Sequence, residues 1–462
     1  MQNLHLLVVF AAKAGRWCLS GSPLRTFLSQ RRWSVELINK ILKKGESFGD
    51  LQVSFLEEDK LKLEYKGNKI DNSEKSKTSV LSIRIINGKK FGFAKTTNLD
   101  KWEECLKSAV RIMNASTSLH QKIEIPKVGK SGKISGLVSK KIKDMSEQEL
   151  FELGEALVNP VMEKNLNIPY AGVEKSLIKN IFANRYGTVQ EEYTFFSSGI
   201  ECNQNESIGT EYKLSHNLHN PAEVGEAAAK LAIETKGFKP ADTKKTDLVL
   251  DYNAFSSLLN KILVPNLLGD NVATKKSYLA DKLNKQMFSE KLSVVDHGNL
   301  SGGLFSVRVD AEGTPTGKTK LIDRGTVSNF LSDSYTATLL KTKTTGNCAS
   351  LEKIPYVGPT NLIVQPGDYS REEILKDTKE GIFANQVMGT HVANEATGDA
   401  SVGIENAYFI KNGRREHSLK QAMIHINLFD ALKKLEVLGN KNRQDSSISA
   451  PLVKFSNIQI IG

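Results

Sequence analysis

Two carboxylates spaced two residues apart, Asp310 and Glu312, stand beside Gly313, Thr314 and Thr316 in the run Val309-Asp310-Ala311-Glu312-Gly313-Thr314-Pro315-Thr316. On a strand this spacing turns both acids to one side, where paired carboxylates do proton-transfer work. In a loop the same side chains accept hydrogen bonds from backbone N–H groups and hold the turn. The overlapping stretch from Gly313 to Thr319 has the composition of a phosphate-cradling loop. Its glycines are too close together, and the residues after it alternate as a strand instead of opening a helix. Among the eight histidines, His216 and His219 stand close together, but the strand-like residues around them direct the rings to opposite faces. His391 and Glu395 would share a face of a helix, yet they precede a loop at Thr397-Gly398-Asp399. The four cysteines (Cys18, Cys105, Cys202, Cys348) form no Cys-x-x-Cys pair, so neither a zinc knuckle nor a redox dithiol is indicated. No Gly-x-Ser-x-Gly nucleophile turn is present.

The elements that must position these residues follow from periodicity. A helical stripe runs from Val35 to Lys44, and another from Leu99 to Asn114 carries Trp102, Leu106, Val110 and Met113. Asp50 to Glu57 and Lys60 to Tyr65 alternate as strands, and the charged break at Glu58-Asp59 suits a hairpin. Ser79 to Ile86, the turn Asn87-Gly88 and Phe91 to Ala94 predict a second hairpin. Gly129 to Lys143 reads as a connector, and Ser146 with Glu149 as a capping box that starts a helix to about Glu163. Strands are expected at 170–181, 189–197 and 208–214, and a proline-started helix from Pro221 to Thr235. The charged stretch from Lys239 to Thr246 is the expected domain boundary. Beyond it the chain is strand-rich. Leu248 to Leu250, Ser293 to Asp296, Phe305 to Val309, Asn361 to Val364, Ala407 to Lys411 and Leu452 to Ile461 read as strands. Helices are expected at 254–268, interrupted by Pro265, after Ser370, and within 422–438.

A chain of 462 residues is too long for one core and implies two domains. The fold class read from these patterns is α+β, with a mixed N-terminal domain over 34–238 and a strand-rich C-terminal domain over 247–462. The net charge of +11 is spread along the chain, which fits a solvated surface, and the 7% aromatic residues form no stacking platform for nucleic acid. No apolar run is long enough to span a membrane. Residues 1–33 carry Lys13, Arg16, Arg25, Arg31 and Arg32 and no acid. They read as a transit-like leader or a mis-assigned start. The expected location is the cytoplasm, or an organelle if that segment is a transit peptide.

The Asp310 run resembles the Asp-x-Glu-Gly-Thr-Pro loop of the TldD/PmbA (TldE) family of peptidase subunits. Similar matches fall at Ile83 to Ala94, Thr345-Gly346-Asn347, Asn361 to Asp368, Thr397 to Ser401 and Ile426 to Phe429. The resemblance covers nearly everything after residue 33. The resemblance implies a pairing of a zinc-bearing subunit with one that lacks the metal. The active branch uses a His-Glu-x-x-x-His helix and a cysteine near the C-terminus. Here the corresponding segment is Asn260-Lys261-Ile262-Leu263-Val264-Pro265, without histidine or glutamate and with a proline expected to disrupt the helix, and no cysteine follows Leu438. The expectation is therefore a PmbA/TldE-like chain with no cofactor of its own. Zinc would come from a TldD-like partner, and unfolded or modified peptides would be the substrate. Asp310, Glu312, Gly313, Thr314, Thr316, Thr345, Gly346 and Asn347 are the residues expected to line the peptide site. A stand-alone hydrolase of the same family and a basic scaffold protein are the alternatives.

Overall fold

The computed structural model describes residues 30–129, 132–235 and 237–462. The leader expected over residues 1–33 lies outside them, except where helix α1 (Gln30–Gly45) begins. Six long antiparallel strands follow: β1 (Asp50–Lys66), β2 (Lys69–Asn87), β3 (Lys90–Thr96), β4 (Asn167–Asn184), β5 (Gly187–Gln204) and β6 (Ser207–Ser215). They pair in the order β3-β2-β1-β4-β5-β6. The expected hairpin at Glu58-Asp59 does not form, because β1 runs straight through and turns only after Lys66. Glu58 pairs with Thr78 on one side and Ile178 on the other, so both flanking ladders hold the charged stretch extended.

Alternation gives this sheet two faces. Leu51, Val53, Phe55, Leu61, Leu63 and Tyr65 of β1 are buried on one of them. There they meet α1 and α2 (Trp102–Ala115) at one end, and α3 (Glu147–Met162) and α4 (Pro221–Glu234) at the other. The α3 start is a capping box: Ser146 Oγ accepts from Glu149 N–H at 3.1 Å, and Glu149 Oε2 accepts from Ser146 N–H at 2.7 Å. Caps of this kind contribute about 1 kcal/mol. The opposite face carries Gln52, Ser54, Leu56, Glu58, Lys60, Lys62 and Glu64.

The second sheet has twelve strands among the described residues, and its main path runs β11 (Thr326–Val327), β10 (Lys318–Asp323), β9 (Val294–His297), β12 (Leu362–Val364), β18 (Ile448–Ile461), β8 (Lys244–Leu250), β13 (Glu380–Met388), β14 (Asp399–Lys411), β15 (Arg414–Lys420) and β7 (Phe238–Pro240). The last strand, β18 (Ile448–Ile461), lies at its centre. It pairs with β12 (Leu362–Val364), β8 (Lys244–Leu250), β16 (Met423–Asn427) and β17 (Val437–Gln444). Mixed helices over strand-rich sheets make the fold α+β, as the sequence patterns indicate. Clusters that combine Ile86, Ile123 and Ile125 with Tyr335 and Ile354, and Tyr193 and Phe195 with Val307, pack the two sheets' surroundings together.

Three local expectations change. Phe305 to Val309 is not a strand. Phe305 N–H donates to Asn361 Oδ1 at 3.0 Å and Arg308 N–H to Glu191 Oε1 at 2.7 Å, so side chains take the place of a ladder. Pro265 does not disrupt its helix. Helix α5 (Tyr252–Leu258) widens into a π turn over Leu259–Leu263, and Pro265 falls at the start of the next helical turn, where its missing N–H is not needed. The connector over 129–143 ends in a short helix, Lys140–Asp144.

Candidate functional site

The loop around Asp310 is built by its own side chains. Asp310 Oδ1 accepts from the N–H groups of Glu312 (3.0 Å) and Thr314 (2.9 Å), and Oδ2 accepts from Cys348 N–H (3.0 Å). Asp310 N–H donates back to Thr314 O at 2.8 Å. The chain therefore doubles back on itself, and the strand on which both acids would share a face does not exist. A carboxylate with three amide donors is a stronger organiser than a ladder partner. Gly313 takes φ +90°, and a Cβ there would lie 2.4 Å from Phe182 Cε1, so the turn needs glycine on both counts. Thr316 Oγ1 donates to Val307 O.

Glu312 points away from Asp310. Its Oε1 accepts from Ser334 N–H at 2.7 Å and its Oε2 from Ser334 Oγ–H at 2.8 Å. Ser334 opens helix α6 (Ser334–Leu340), which Asp333 caps. Arg84 Nη2 stands 3.8 Å from Glu312 Oε2. Arg84 is only 1% exposed. Its Nε donates to Gln52 Oε1 at 2.8 Å, and its Nη1 to Lys353 O at 3.3 Å. Gln52 Nε2 donates to Glu312 O at 3.0 Å. Arg84 and Gln52 thus clamp the loop to the first sheet. Burial, with Asp333 nearby, pushes the Glu312 carboxyl up to about 7 against the pull of Arg84 and Ser334. Burial and the Glu312 charge likewise push Asp310 well above the usual carboxylate range, against its three amides.

The second loop leans on the first. Thr345 Oγ1 accepts from Ser332 N–H at 2.7 Å and donates to Ser332 O at 3.1 Å. Gly346, at φ +72°, packs so closely that a Cβ would meet Pro315 O at 2.4 Å. Asn347 Nδ2 donates to Asp296 Oδ2 (2.8 Å) and Gly358 O (3.1 Å), and Asp296 also takes the N–H (2.8 Å) and hydroxyl (2.6 Å) of Thr360.

Between these loops and the open face of the first sheet lies a cleft of about 480 Å³. Ser54, Leu56, Asn180 and Phe182 line its sheet side, and Asp310, Ala311 and residues 349–352 its loop side. Lys95 and Glu352, both lining residues, pair at 2.6 Å. Of the eight residues expected at the site, Asp310 lines the cleft. Glu312, Gly313, Thr314, Thr316, Thr345, Gly346 and Asn347 stand behind it and hold its wall. Arg84, Gln52 and Asp296 were not singled out by sequence patterns. A charge inside the apolar alternation Leu81 to Ile86 was the available signal for Arg84.

His216 and His219 do other work. Both lie in the loop after β6 rather than in a strand. The His216 ring nitrogens meet Thr194 O (2.9 Å) and Gly303 O (3.2 Å), and His219 Nε2 meets Ser198 Oγ (2.8 Å). On the π turn that follows α5, Lys261 Nζ lies 3.6 Å from Glu395 Oε2. Asn260, Lys261 and Pro265 offer a zinc ion an ammonium and no imidazole, so these residues do not fit that metal. Among the described residues no group of three or more His, Cys, Asp or Glu side chains is placed to hold a metal ion.

Comparison with known proteins bears on the whole chain. The PmbA/TldA metallopeptidase C-terminal domain matches residues 243–462, and the PmbA/TldA metallopeptidase domain 1 matches residues 51–113. The chain belongs to the TldD/PmbA family. An uncharacterized protein of Methanocaldococcus jannaschii is 29% identical over 421 residues, covering 90% of this chain and 98% of its own length. A metalloprotease of the same organism is 26% identical over 428 residues, covering 88% and 92%. The crystal structure of TldE from Thermococcus kodakarensis superimposes with a TM-score of 0.83 over 92% of this chain and all of that one, at 20% identity. Both matching domain models are described as metallopeptidase domains. No helix among the described residues is long and apolar enough to cross a membrane.

Proposed function

We propose that this TldD/PmbA chain is the non-catalytic subunit of a heteromeric zinc metallopeptidase. The reading is supported by the segment from Asn260 to Pro265, which the family resemblance sets at about the place of the active branch's His-Glu-x-x-x-His helix and which holds neither histidine nor glutamate. A TldD-like partner would supply zinc, water and general base. This chain would supply a wall of the peptide chamber, with the cleft beneath the Asp310 loop holding unfolded or modified peptides in extended form. The free edge of β3, whose Phe93 and Lys95 line that cleft, is suited to main-chain hydrogen bonding that tolerates many sequences. A cytoplasmic setting is part of this reading.

The test is co-expression with a zinc-bearing family member from the same genome. The expected result is one gel-filtration peak containing both chains and peptide cleavage abolished by a chelator. Two separate peaks with no gain of activity would refute it. Chelator-insensitive cleavage by the purified chain alone would establish the stand-alone hydrolase instead.

A further inference from the structure

The open face of the first sheet does not end at the cleft. Leu56 and Ile178 line the cleft, and on the same face the next rows bring Glu58, Lys60 and Lys62 of β1 alongside Ser176 and Glu174 of β4. The two lysines are already engaged: Lys60 Nζ lies 3.1 Å from Glu74 and Lys62 Nζ 2.5 Å from Glu64. Glu58 and Glu174 are left without a cation within ion-pair distance among the described residues. Glu58 Oε1 is buried and accepts no hydrogen bond. Ser176, between them on β4, is 2% exposed, and its hydroxyl also makes no hydrogen bond. Two buried oxygens on one face of paired strands, Glu58 Oε1 and Ser176 Oγ, therefore lack donors, and the part-buried carboxylate of Glu174 stands in the next row. Buried oxygens in folded proteins are ordinarily hydrogen-bonded, so two of them beside a carboxylate without an ion-pair partner mark a place built for donors that come from elsewhere.

We propose that Glu58, Ser176 and Glu174 form a subsite for the cationic side chain of a peptide, an arginine guanidinium or a lysine ammonium. The proposal rests on reading the chain as a peptide-binding subunit and adds the class of peptide it prefers. A guanidinium brings five donors in a planar fork and engages a carboxylate through two parallel bonds, which suits acceptors distributed over neighbouring strands. Glu174 is four residues from Ile178 along β4, about 13 Å at the rise of a strand, so one extended peptide reaches both cleft and subsite. Burial pushes Glu174 up to about 7 despite Lys60 and Lys62, with Glu58 and Glu74 adding to the rise. A cation bound there would relieve that stress.

The experiment uses the purified full-length chain at pH 8 and fluorescence anisotropy with two dye-labelled unstructured peptides. They are identical except that one carries arginine where the other carries uncharged citrulline. The arginine peptide is expected to bind at least ten-fold more tightly. Glu174→Gln should bring it to within about two-fold of the citrulline peptide, and Ser176→Ala should weaken it several-fold. Glu372→Gln, at an exposed acid on the helix Arg371–Asp377, should change nothing. Equal binding of the two peptides would overturn the subsite while leaving peptide binding intact. Equal losses in Glu174→Gln and Glu372→Gln would show general charge attraction and overturn it too. Absence of binding by either peptide also overturns it, whereas the subunit role is decided separately by complex formation with the zinc-bearing partner.

Discussion

Arg84→Met isolates the clamp that joins the Asp310 loop to the first sheet. Methionine keeps much of the side-chain length and removes the guanidinium. The hydrogen bonds to Gln52 (2.8 Å) and Lys353 O (3.3 Å) disappear, together with the 3.8 Å contact to Glu312. Breaking a buried ion pair from one side costs about 3–5 kcal/mol. The long contact and the two donors from Ser334 place this case at about 3 kcal/mol. Glu312 has one escape, which is to bind a proton. Its carboxyl is raised, so the folded state holds a proton that the unfolded chain has released, and ionisation is what costs stability. Below pH 7 both proteins fold with Glu312 largely protonated, and the variant loses only the hydrogen bonds of Arg84, about 1–2 kcal/mol. Above pH 7 the parent ionises beside its arginine. The variant must keep the proton or bury an unpaired charge, and each further pH unit widens the gap by up to about 1.4 kcal/mol until its own, higher pKa is passed. Urea unfolding followed by circular dichroism at pH 6 and pH 8.5 measures both ends. With an m-value of about 3 kcal/mol/M, the midpoint should fall by roughly 0.5 M at pH 6 and on the order of 1 M at pH 8.5. An equal shift at both pH values, or a smaller one at pH 8.5, would refute the assignment of Arg84 as the counter-charge.

Three further outcomes are expected. Asp310→Asn keeps an acceptor for two amides but turns an NH₂ group toward a third, so stability at pH 7 should drop by about 2–4 kcal/mol; an unchanged urea midpoint would remove Asp310 from its role as loop organiser. Gly346→Ala places a methyl 2.4 Å from Pro315 O in a left-handed backbone, and a loss of about 2 kcal/mol or more in thermal or urea unfolding is expected, against none if the loops are not in contact. Glu174→Gln should stabilise the protein by about 1–2 kcal/mol at pH 8, because the raised, partly exposed carboxyl costs the fold only when charged. That gain should shrink as pH falls from 7 toward 4.5 and vanish below it, and a gain independent of pH would contradict the cause.

Much of the architecture was legible because the period of the pattern matched what neighbours required. Leu81 to Ile86 alternates because one face packs on helices, and Pro221 and Ser146 mark helix starts through chemistry confined to a single turn. Misreadings arose where a distant segment decides. Glu58-Asp59 looks like a turn, yet two ladders from β2 and β4 keep it extended. Phe305 to Val309 has a strand's composition, but Asn361 and Glu191 take its donors. Pro265 reads as a helix breaker until a π turn shifts the ladder ahead of it. The Asp310 loop was visible as a motif. The cleft it roofs was not, because the other wall comes from Ser54, Asn180 and Phe182, more than a hundred residues earlier. The donor-free oxygens of Glu58 and Ser176 beside Glu174 leave no trace in a local pattern, since only the pairing register shows that they share a face.

The position of β18 affects how the protein can be made. Apart from the β1–β4 pairing, neighbours in the first sheet are consecutive along the chain, and that half is able to assemble while translation continues. The second sheet has the reverse logic. Its keystone is the strand synthesised after all its neighbours, so β8, β12, β16 and β17 each keep an unmatched edge until residues 448–461 have left the ribosome. A premature stop in place of Ile448 would therefore leave four strands without a common partner, and such a fragment is expected to aggregate rather than persist as a slightly shortened protein.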